Sequence, residues 1–192
     1  MTSPGTSGAR SSVASTGGWS RGTRTIRTAT WTTRLGQDGI RAERVTLGPL
    51  VARLHAVYGE RFAAAGGRLE LAGSPVVPRA DPHLLERILA NLVDNALTYR
   101  RPDVPPLVAV SAERHGERVT VSVADNGIGI PPEHRERIFA LFTRLHREDE
   151  YPGTGIGLSI VRKAARLMGT DVTVASVVGE GSTFSLVLPA AG

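Results

Sequence analysis

Four groups of residues in this sequence have types and spacings that could recognise a ligand. They combine paired amides, a carboxylate and closely spaced glycines. In chain order they are Asn91 with Asn95, Asp125 with Gly127 and Gly129, Gly153 with Gly155 and Gly157, and Gly179 with Gly181 ahead of Thr183. Each group alone is weak, because Asp, Asn and Gly are common in ordinary turns. Their meaning depends on the elements that bring them together.

Each group has its own chemical capacity. Glycines that open a helix, as residues 153–157 would, present bare backbone N–H groups at the positive helix end, which suits phosphate. Asp125 follows a strand-like run and accepts hydrogen bonds when ionised, which suits an exocyclic amine such as that of adenine. The amide oxygens of Asn91 and Asn95 suit a hard cation that bridges phosphates, as Mg²⁺ does. A nucleotide with Mg²⁺ is the simplest ligand for all four groups.

The helix predicted over residues 81–99 must position the two asparagines. Asp81 is a good N-cap, Pro82 suits the first turn, and apolar residues then recur at helical spacing. Asn91 and Asn95 therefore lie one above the other on the border of the apolar face. Two amides in that position are costly unless a polar group meets them.

Periodic or alternating apolar residues predict the remaining elements. These are a helix over 45–65, a strand over 68–72, an extended edge segment over 74–78, a hairpin over 106–112 and 118–124, a short helix over 131–139, a mobile loop over 143–153, a helix over 157–168 and a final hairpin over 172–178 and 182–188. Because hairpins rather than strand–helix–strand crossovers connect the strands, this order predicts an α+β fold, a two-layer α/β sandwich.

Composition allows a folded core and excludes several kinds of site. The chain has 192 residues, 41% of them hydrophobic, which is enough for one ordinary domain. It has no cysteine, which excludes disulfides, thiolate metal sites and cysteine nucleophiles. No apolar run approaches the roughly 20 residues that cross a bilayer, and no secretory signal is evident. We therefore expect a cytoplasmic protein without a membrane segment.

The net charge of +5 belongs to residues 1–44, which hold seven arginines against two acidic residues. Residues 45–190, the predicted folded domain, carry no excess of either sign. Residues 1–36 are rich in Ser, Thr and Gly without apolar periodicity, and we expect residues 1–44 to form a disordered or non-native leader. A transit peptide, a cloning remnant or a displaced reading frame would look similar. A basic tail touches phosphates non-specifically, so we expect no specific nucleic-acid binding.

Residues 45–189 resemble the ATP-binding catalytic domain of sensor histidine kinases, in the GHKL superfamily with its Bergerat fold. Five motifs in order carry the resemblance. Asn91-Leu-Val-Asp-Asn95-Ala resembles the N box, Asp125-Asn-Gly-Ile-Gly129 the G1 box, Phe139-Ala-Leu-Phe142 the F box, Gly153-Thr-Gly-Ile-Gly157-Leu158 the G2 box and Gly179-Glu-Gly-Ser-Thr183 the last glycine motif. Residues 144–155 are similar to the phytochrome-like branch. The resemblance implies a mixed, mostly antiparallel sheet with three main helices on one face.

The resemblance also implies roles for individual residues. Asp125 would bind adenine, Asn91 and Asn95 would hold Mg²⁺ and act in catalysis, and residues 143–153 would form a lid over ATP. The nucleotide contacts that it implies are Asn95, Asp125, Gly127, Gly129, Ile130, Gly153, Thr154, Gly155, Gly157, Leu158 and Thr183.

A purely structural interpretation stands beside each of these roles. Asp125 could cap its own turn, and Asn91 and Asn95 could hydrogen-bond their neighbours on the helix surface. The remaining positions with such an alternative, as hairpin, strand or core residues, are Gly179, Gly181, Thr183, Phe139 and Phe142. For the two phenylalanines we expect packing against the root of the lid.

Asn91 distinguishes between branches of the superfamily. Chaperone-like ATPases and anti-sigma serine kinases resemble this chain but carry a glutamate at this place, four residues before the N-box asparagine. A carboxylate there can act as a general base towards water or a hydroxyl, whereas an amide cannot accept that proton. A neutral histidine needs no such base, since its imidazole already has a lone pair. Asn91 therefore favours a histidine kinase.

Two features depart from the family pattern. Thr98 stands where a Lys or Arg is usual, so Arg100 or Arg101 would have to supply the cation near the γ-phosphate. No histidine lies in a His-Glu/Asp-Leu-Arg-x-Pro context. We therefore expect a truncated kinase domain that phosphorylates a histidine of another chain, with a response regulator as a further partner. The alternatives are a nucleotide-binding regulatory module with little catalysis and an anti-sigma-like serine kinase.

Overall fold

The structure is a computed structural model that describes residues 39–73, 75–140 and 155–192. The predictions for the leader up to residue 38, for the lid over residues 143–153, and for Phe142, Gly153 and Thr154 lie outside the described residues. The described part forms one compact unit, Gly39–Gly192. Within it, no helix combines the length and the apolar character that crossing a bilayer requires.

The helices and strands follow the predicted order closely. They are β1 (Glu43–Arg44), α1 (Leu47–Ala64), β2 (Arg68–Ala72), β3 (Arg79–Ala80), α2 (Pro82–Thr98), β4 (Leu107–His115), β5 (Arg118–Asp125), α3 (Gly157–Leu167), β6 (Val172–Val177) and β7 (Gly181–Pro189). In place of the short helix predicted over 131–139 there are two single 3₁₀ turns, Pro132–His134 and Arg137–Phe139.

Five strands form a mixed sheet in the order β2-β4-β5-β7-β6. Three of its neighbouring pairs are antiparallel, but β2 and β4 run parallel. This corrects the expectation that hairpins alone connect the strands, because the chain leaves β2, crosses the sheet as α2 and returns as β4. Parallel neighbours need such a crossover, which a tight turn cannot provide. The predicted mixed, mostly antiparallel sheet is confirmed.

A second, two-stranded sheet was not predicted, and its first strand, β1, lies within residues 1–44, where a leader was expected. β1 pairs with β3 in antiparallel register, and Pro78 forms an isolated bridge with Ala190. Strands of two residues show no alternation of apolar and polar positions, so the sequence carries no signal for them. The extended segment predicted over 74–78 therefore continues into β3.

The hydrophobic core lies between the helices and one face of the sheet. α2 contributes eight buried residues, and alternate residues of β4, β5 and β7 are buried against the helices. On the opposite face the strands carry smaller polar residues, among them Ser122 and Ser185, whose hydroxyl oxygens lie 2.9 Å apart. The two-layer α/β sandwich with helices on one face is confirmed.

The start of α2 is fixed by the predicted cap. The Oδ1 atom of Asp81 accepts hydrogen bonds from the backbone N–H groups of His83 and Leu84, both at 3.0 Å. Its second oxygen accepts from the backbone N–H of Arg41 at 3.2 Å. One carboxylate thus caps the N-terminus of α2 and also binds the segment that precedes α1.

Replacing Asp81 with Ala should lower the free energy of unfolding by about 1 kcal/mol, the usual value of a lost N-cap. Urea denaturation monitored by circular dichroism measures this change. Asp81→Asn is the matched control, because its amide oxygen can still accept from His83 and Leu84. Equal stability of the Ala and Asn variants would contradict the capping role.

Candidate nucleotide-binding site

A cavity opens between α2, the loop after β5 and the start of α3. Its lining is mostly apolar and contains one carboxylate, a composition that suits a flat heteroaromatic ring. The lining residues are Asn95, Ala96, Tyr99, Asp125, Ile128, Gly129, Ile130, Ile138, Leu158, Ser182 and Phe184. Five of the predicted nucleotide contacts are among them: Asn95, Asp125, Gly129, Ile130 and Leu158.

Asp125 is the last residue of β5 and faces the cavity. Its Oδ1 atom accepts a hydrogen bond from the backbone N–H of Gly127 at 2.8 Å, so the turn-capping interpretation holds for this oxygen. Burial raises the pKa of the carboxyl above its usual value, and the backbone N–H groups of Gly127 and Ser182 only partly oppose this. An ionised carboxylate has about four lone-pair sites, so acceptor capacity is left for a ligand.

Residues 125–130, which we call the Asp-Gly loop, are wedged between α2 and the β6–β7 hairpin. The N–H of Ile128 donates to the carbonyl of Tyr99 at 3.0 Å, and its own carbonyl accepts from the N–H of Gly179 at 2.8 Å. A Cβ on Gly127 would lie 2.6 Å from the oxygen of Tyr99. A Cβ on Gly129, whose φ is 73°, would lie 2.1 Å from the oxygen of Val177. Both glycines therefore allow the loop to pack, and Gly127 is not among the residues that line the cavity.

Arg101 fastens the Asp-Gly loop to the hairpin, a role that the sequence did not predict. Its Nε donates to the carbonyl of Asn126 at 2.9 Å and its Nη1 to that of Gly179 at 2.7 Å. Arg100 donates through Nη1 to the carbonyl of Leu97 at 3.1 Å. Both guanidinium groups thus donate to backbone carbonyls, and the expectation that one of these arginines reaches the γ-phosphate stays a prediction.

The asparagines lie at the other end of the site, beside the start of α3. The Nδ2 atom of Asn91 donates to the carbonyl of Arg87 at 2.7 Å, which leaves its Oδ1 for another partner. A Cβ on Gly157 would lie 3.3 Å from Oδ1 of Asn91 and 3.5 Å from Oδ1 of Asn95. The two amide oxygens therefore converge on the first residue of α3.

This convergence fits a small hard cation shared with phosphate oxygens. Two neutral amide oxygens could supply part of the coordination shell of such a cation, as they do for Mg²⁺ bound together with phosphates and water. Among the described residues, no group of three or more His, Cys, Asp or Glu side chains could hold a metal. The N-cap of α3 is Ile156, which has no polar side chain to cap the helix, so its N-terminal N–H groups suit phosphate. Gly155, with a φ of 67°, precedes this helix start.

The last glycine motif places Ser182, not Thr183, at the cavity. Side chains alternate along β7, so Ser182 and Phe184 face the cavity while Thr183 lies on the opposite face of the sheet. Ser182 is also directly opposite Asp125 in the ladder between β5 and β7. Ser182 thus joins the residues at the cavity, while the nucleotide contact predicted for Thr183 stays a prediction.

Phe139 packs against Phe184, a residue of the cavity lining, without lining the cavity itself. It is buried, and its ring meets that of Phe184 edge to face, with centroids 6.4 Å apart. The guanidinium of Arg162 lies 5.4 Å from the centre of the Phe139 ring and is also hydrogen-bonded to Asp171. Phe139 thus joins the cavity wall to α3, as a core residue rather than a lining one.

Replacing Gly157 with Ala should weaken binding of Mg·ATP by about tenfold or more while leaving adenosine binding unchanged. The added methyl group would occupy the space between the two asparagine oxygens and the start of α3. Calorimetry with both ligands measures this difference. Gly48→Ala, in α1 with open space around its Cβ, is the matched control. Equal losses of affinity for Mg·ATP and for adenosine would contradict the assignment of this region to the phosphates alone.

Titration of Asp125 tests the adenine end. In the free protein its pKa should lie above the usual value of about 3.9, and an adenine nucleotide should lower it, since the amine favours the ionised carboxylate. Unfolding restores the ordinary pKa, so the free protein loses stability as the pH rises through the raised pKa of Asp125. The bound nucleotide should reduce that loss. The ¹³C shift of the carboxyl carbon reports the pKa by NMR.

Asp171 is the internal control for this titration. Slight burial acts to raise its pKa, but hydrogen bonds from the N–H of Val172 and from Arg162 outweigh this and lower it. Asp171 does not line the cavity, so nucleotide should leave its pKa where it is. A nucleotide that binds without moving the pKa of Asp125 would show that the carboxylate does not contact the base.

Comparison with known proteins agrees with this geometry. Residues 80–192 match the family described as "Histidine kinase-, DNA gyrase B-, and HSP90-like ATPase". Cyanobacterial phytochrome A of Nostoc sp. is 38% identical over 133 residues, which cover 69% of this chain and 17% of that protein. The adaptive-response sensory kinase SasA of Crocosphaera subtropica is 40% identical over 110 residues, 57% of this chain and 28% of that protein. The chain thus spans less than a third of the length of these relatives.

Solved structures give the same result. The mycobacterial sensor histidine kinase MprB superposes with a TM-score of 0.64 at 26% identity, over 78% of this chain and 97% of that one. Full-length ShkA in complex with AMPPNP superposes with a TM-score of 0.67 at 29% identity, over 82% of this chain and 33% of that one. The matched region contains α2, the Asp-Gly loop and α3, and the chain therefore belongs to the family of histidine kinase-, DNA gyrase B- and HSP90-like ATPases.

Proposed function

We propose that residues 45–190 form a domain that binds Mg·ATP and transfers the γ-phosphoryl group to a histidine of a phosphoacceptor domain, in cytoplasmic two-component signalling. The observation that carries the proposal is that one site combines a region suited to adenine with a region suited to phosphate and a cation. An apolar cavity with a partly buried carboxylate, Asp125, lies at one end. Two amide oxygens, of Asn91 and Asn95, converge on a helix N-terminus at the other.

At the adenine end, Asp125 would accept a hydrogen bond from the exocyclic amine while the apolar walls contact the ring. Guanine carries a carbonyl oxygen in the place of that amine, and an ionised carboxylate would repel it. A site with a buried group of fixed polarity discriminates strongly against a ligand that leaves it unpaired. The proposed ligand is therefore an adenine nucleotide.

At the phosphate end, Asn91 and Asn95 would hold Mg²⁺, which when bound neutralises charge on the triphosphate. The N–H groups at the start of α3 would contact phosphate oxygens. Asn91 cannot accept a proton from an attacking water or hydroxyl, and its NH₂ group is already hydrogen-bonded to the carbonyl of Arg87. An acceptor that needs no base, a neutral imidazole, fits this site better than a serine or water does.

A second candidate function is a regulatory module that binds nucleotide without transferring phosphate. One observation favours it. The hydroxyl of Thr98 donates to the carbonyl of Asp94 at 2.8 Å, and Arg100 and Arg101 donate to other carbonyls. Thr98, which stands in the place of the usual cation, and the two arginines suggested for the γ-phosphate are thus all hydrogen-bonded to the backbone. Weak stabilisation of the transferring phosphoryl group would slow transfer without preventing binding.

Incubation of the whole chain with γ-labelled ATP and a phosphoacceptor domain of a related sensor kinase separates the two functions. Transfer should label the acceptor with a phosphoramidate, which is stable in base and lost in acid. Asn95→Ala should abolish both Mg-dependent ATP binding and transfer. Glu86→Gln is the matched control on the same helix, because Glu86 faces Arg53 of α1 at 2.8 Å instead.

Calorimetry with Mg·ATP on the same samples makes each result decisive. Binding without transfer to any acceptor supports the regulatory module. A label that survives acid and is lost in base would indicate a serine ester, as an anti-sigma-like kinase would form. Absence of ATP binding by the unaltered chain would contradict both candidate functions.

A further inference from the structure

We infer that Ser176 is a positioning residue that sets both the place of the Asp-Gly loop and the hydrogen-bonding polarity of Ser182 in the cavity. The inference rests on the proposed function, since it takes an adenine nucleotide as the ligand. Ser176 lies near the end of β6, separated from Asp125 of β5 by the intervening strand β7. It does not line the cavity. It acts through other residues.

Ser176 and Ser182 are buried polar residues, each with 7% of its surface exposed. The hydroxyl of Ser176 makes three close contacts. Its oxygen accepts from the backbone N–H of Ile130 at 2.8 Å, it donates to the carbonyl of Gly181 at 2.8 Å, and it lies 2.9 Å from the hydroxyl oxygen of Ser182. Buried polar groups in such a position are stabilising only when each has a partner.

The direction of these hydrogen bonds follows from counting protons. A serine hydroxyl has one proton to donate and two lone pairs that accept. Ser176 uses its proton on Gly181 and one lone pair on the N–H of Ile130. In the contact with Ser182 it can therefore only accept, so Ser182 is the donor. The proton of Ser182 then points away from the cavity, and its oxygen faces the cavity as an acceptor.

This polarity matches that of Asp125. Ser182 lies opposite Asp125 in the β5–β7 ladder, and both side chains line the cavity. Two acceptors side by side favour an amine and disfavour a carbonyl oxygen at the same place. Ser176 thus contributes to the choice between a 6-amino and a 6-oxo purine without touching either.

The position of the loop depends on the same residue. Ile130, which lines the cavity, is held through its N–H by the hydroxyl of Ser176, and the backbone carbonyl of Ser176 accepts from Nη2 of Arg135. Together with the bond from Gly179 to Ile128, these contacts fix the segment that follows Asp125 at three points along the hairpin. Removal of the hydroxyl leaves a partly buried N–H, of Ile130, and a buried carbonyl, of Gly181, without this partner.

Ser176→Ala should weaken ATP binding by about tenfold and reduce the preference for ATP over inosine triphosphate by a similar factor, since Ser182 is then free to rotate. Calorimetry with each triphosphate and Mg²⁺ gives both values. Ser176→Thr, which keeps the hydroxyl, should retain the preference. Ser185→Ala is the matched control: it removes one member of a serine pair of the same length, 2.9 Å, on the opposite face of the sheet.

Ser182→Ala provides a second route to the same answer, should Ser176→Ala fail to fold in a thermal melt. It removes the acceptor from the cavity but keeps the bond from Ile130 to Ser176, so the preference for ATP should fall. A folded Ser176→Ala protein with the unaltered affinity and preference would overturn the inference, as would an unaltered preference in Ser182→Ala. If the unaltered chain does not bind ATP, the proposed function fails first.

Discussion

The close approach of two backbones at the cavity is the constraint on which the rest of the site depends. The Asp-Gly loop and the β6–β7 hairpin meet with no room for a side chain, since a Cβ on Gly129 would lie 2.1 Å from the oxygen of Val177 and one on Gly181 would lie 2.0 Å from that of Asp125. Both glycines have positive φ, at 73° and 125°. The loop beside the cavity is therefore held main chain against main chain, and its position follows from the sheet.

α2 connects this wall to the phosphate end. One face of the helix supplies eight buried residues to the core, while Asn91 and Asn95 stand at its border next to α3. The rotation of the helix about its own axis is fixed by the core, and so the direction of the amide oxygens is fixed with it. The same packing that stabilises the domain thus orients the groups proposed for Mg²⁺.

Local patterns in the sequence predicted the helices and strands well, but they predicted strand pairing and long-range hydrogen bonds poorly. The limits of α2, its Asp81 cap and the place of Asp125 follow from spacing and residue type. The parallel pairing of β2 with β4 does not, because alternation within a strand carries no information about the direction of its neighbour. Neighbouring residues of a strand face opposite sides of the sheet, so the cavity is lined by Ser182 and not by Thr183, the residue that the resemblance suggested. Ser176 and Arg101 have partners distant in the chain, so no local signal marks them.

The hydrogen bond between the Asn91 amide and the carbonyl of Arg87 has a consequence for the thermodynamics of the phosphate end. It holds the side chain in one rotamer before any ligand arrives, so little rotamer entropy is lost when the oxygen is engaged. The free energy of binding a cation there would then come mainly from exchanging its water ligands for fixed amide dipoles. Because these dipoles are already in place, the affinity of such a site would depend mainly on the size of the ion.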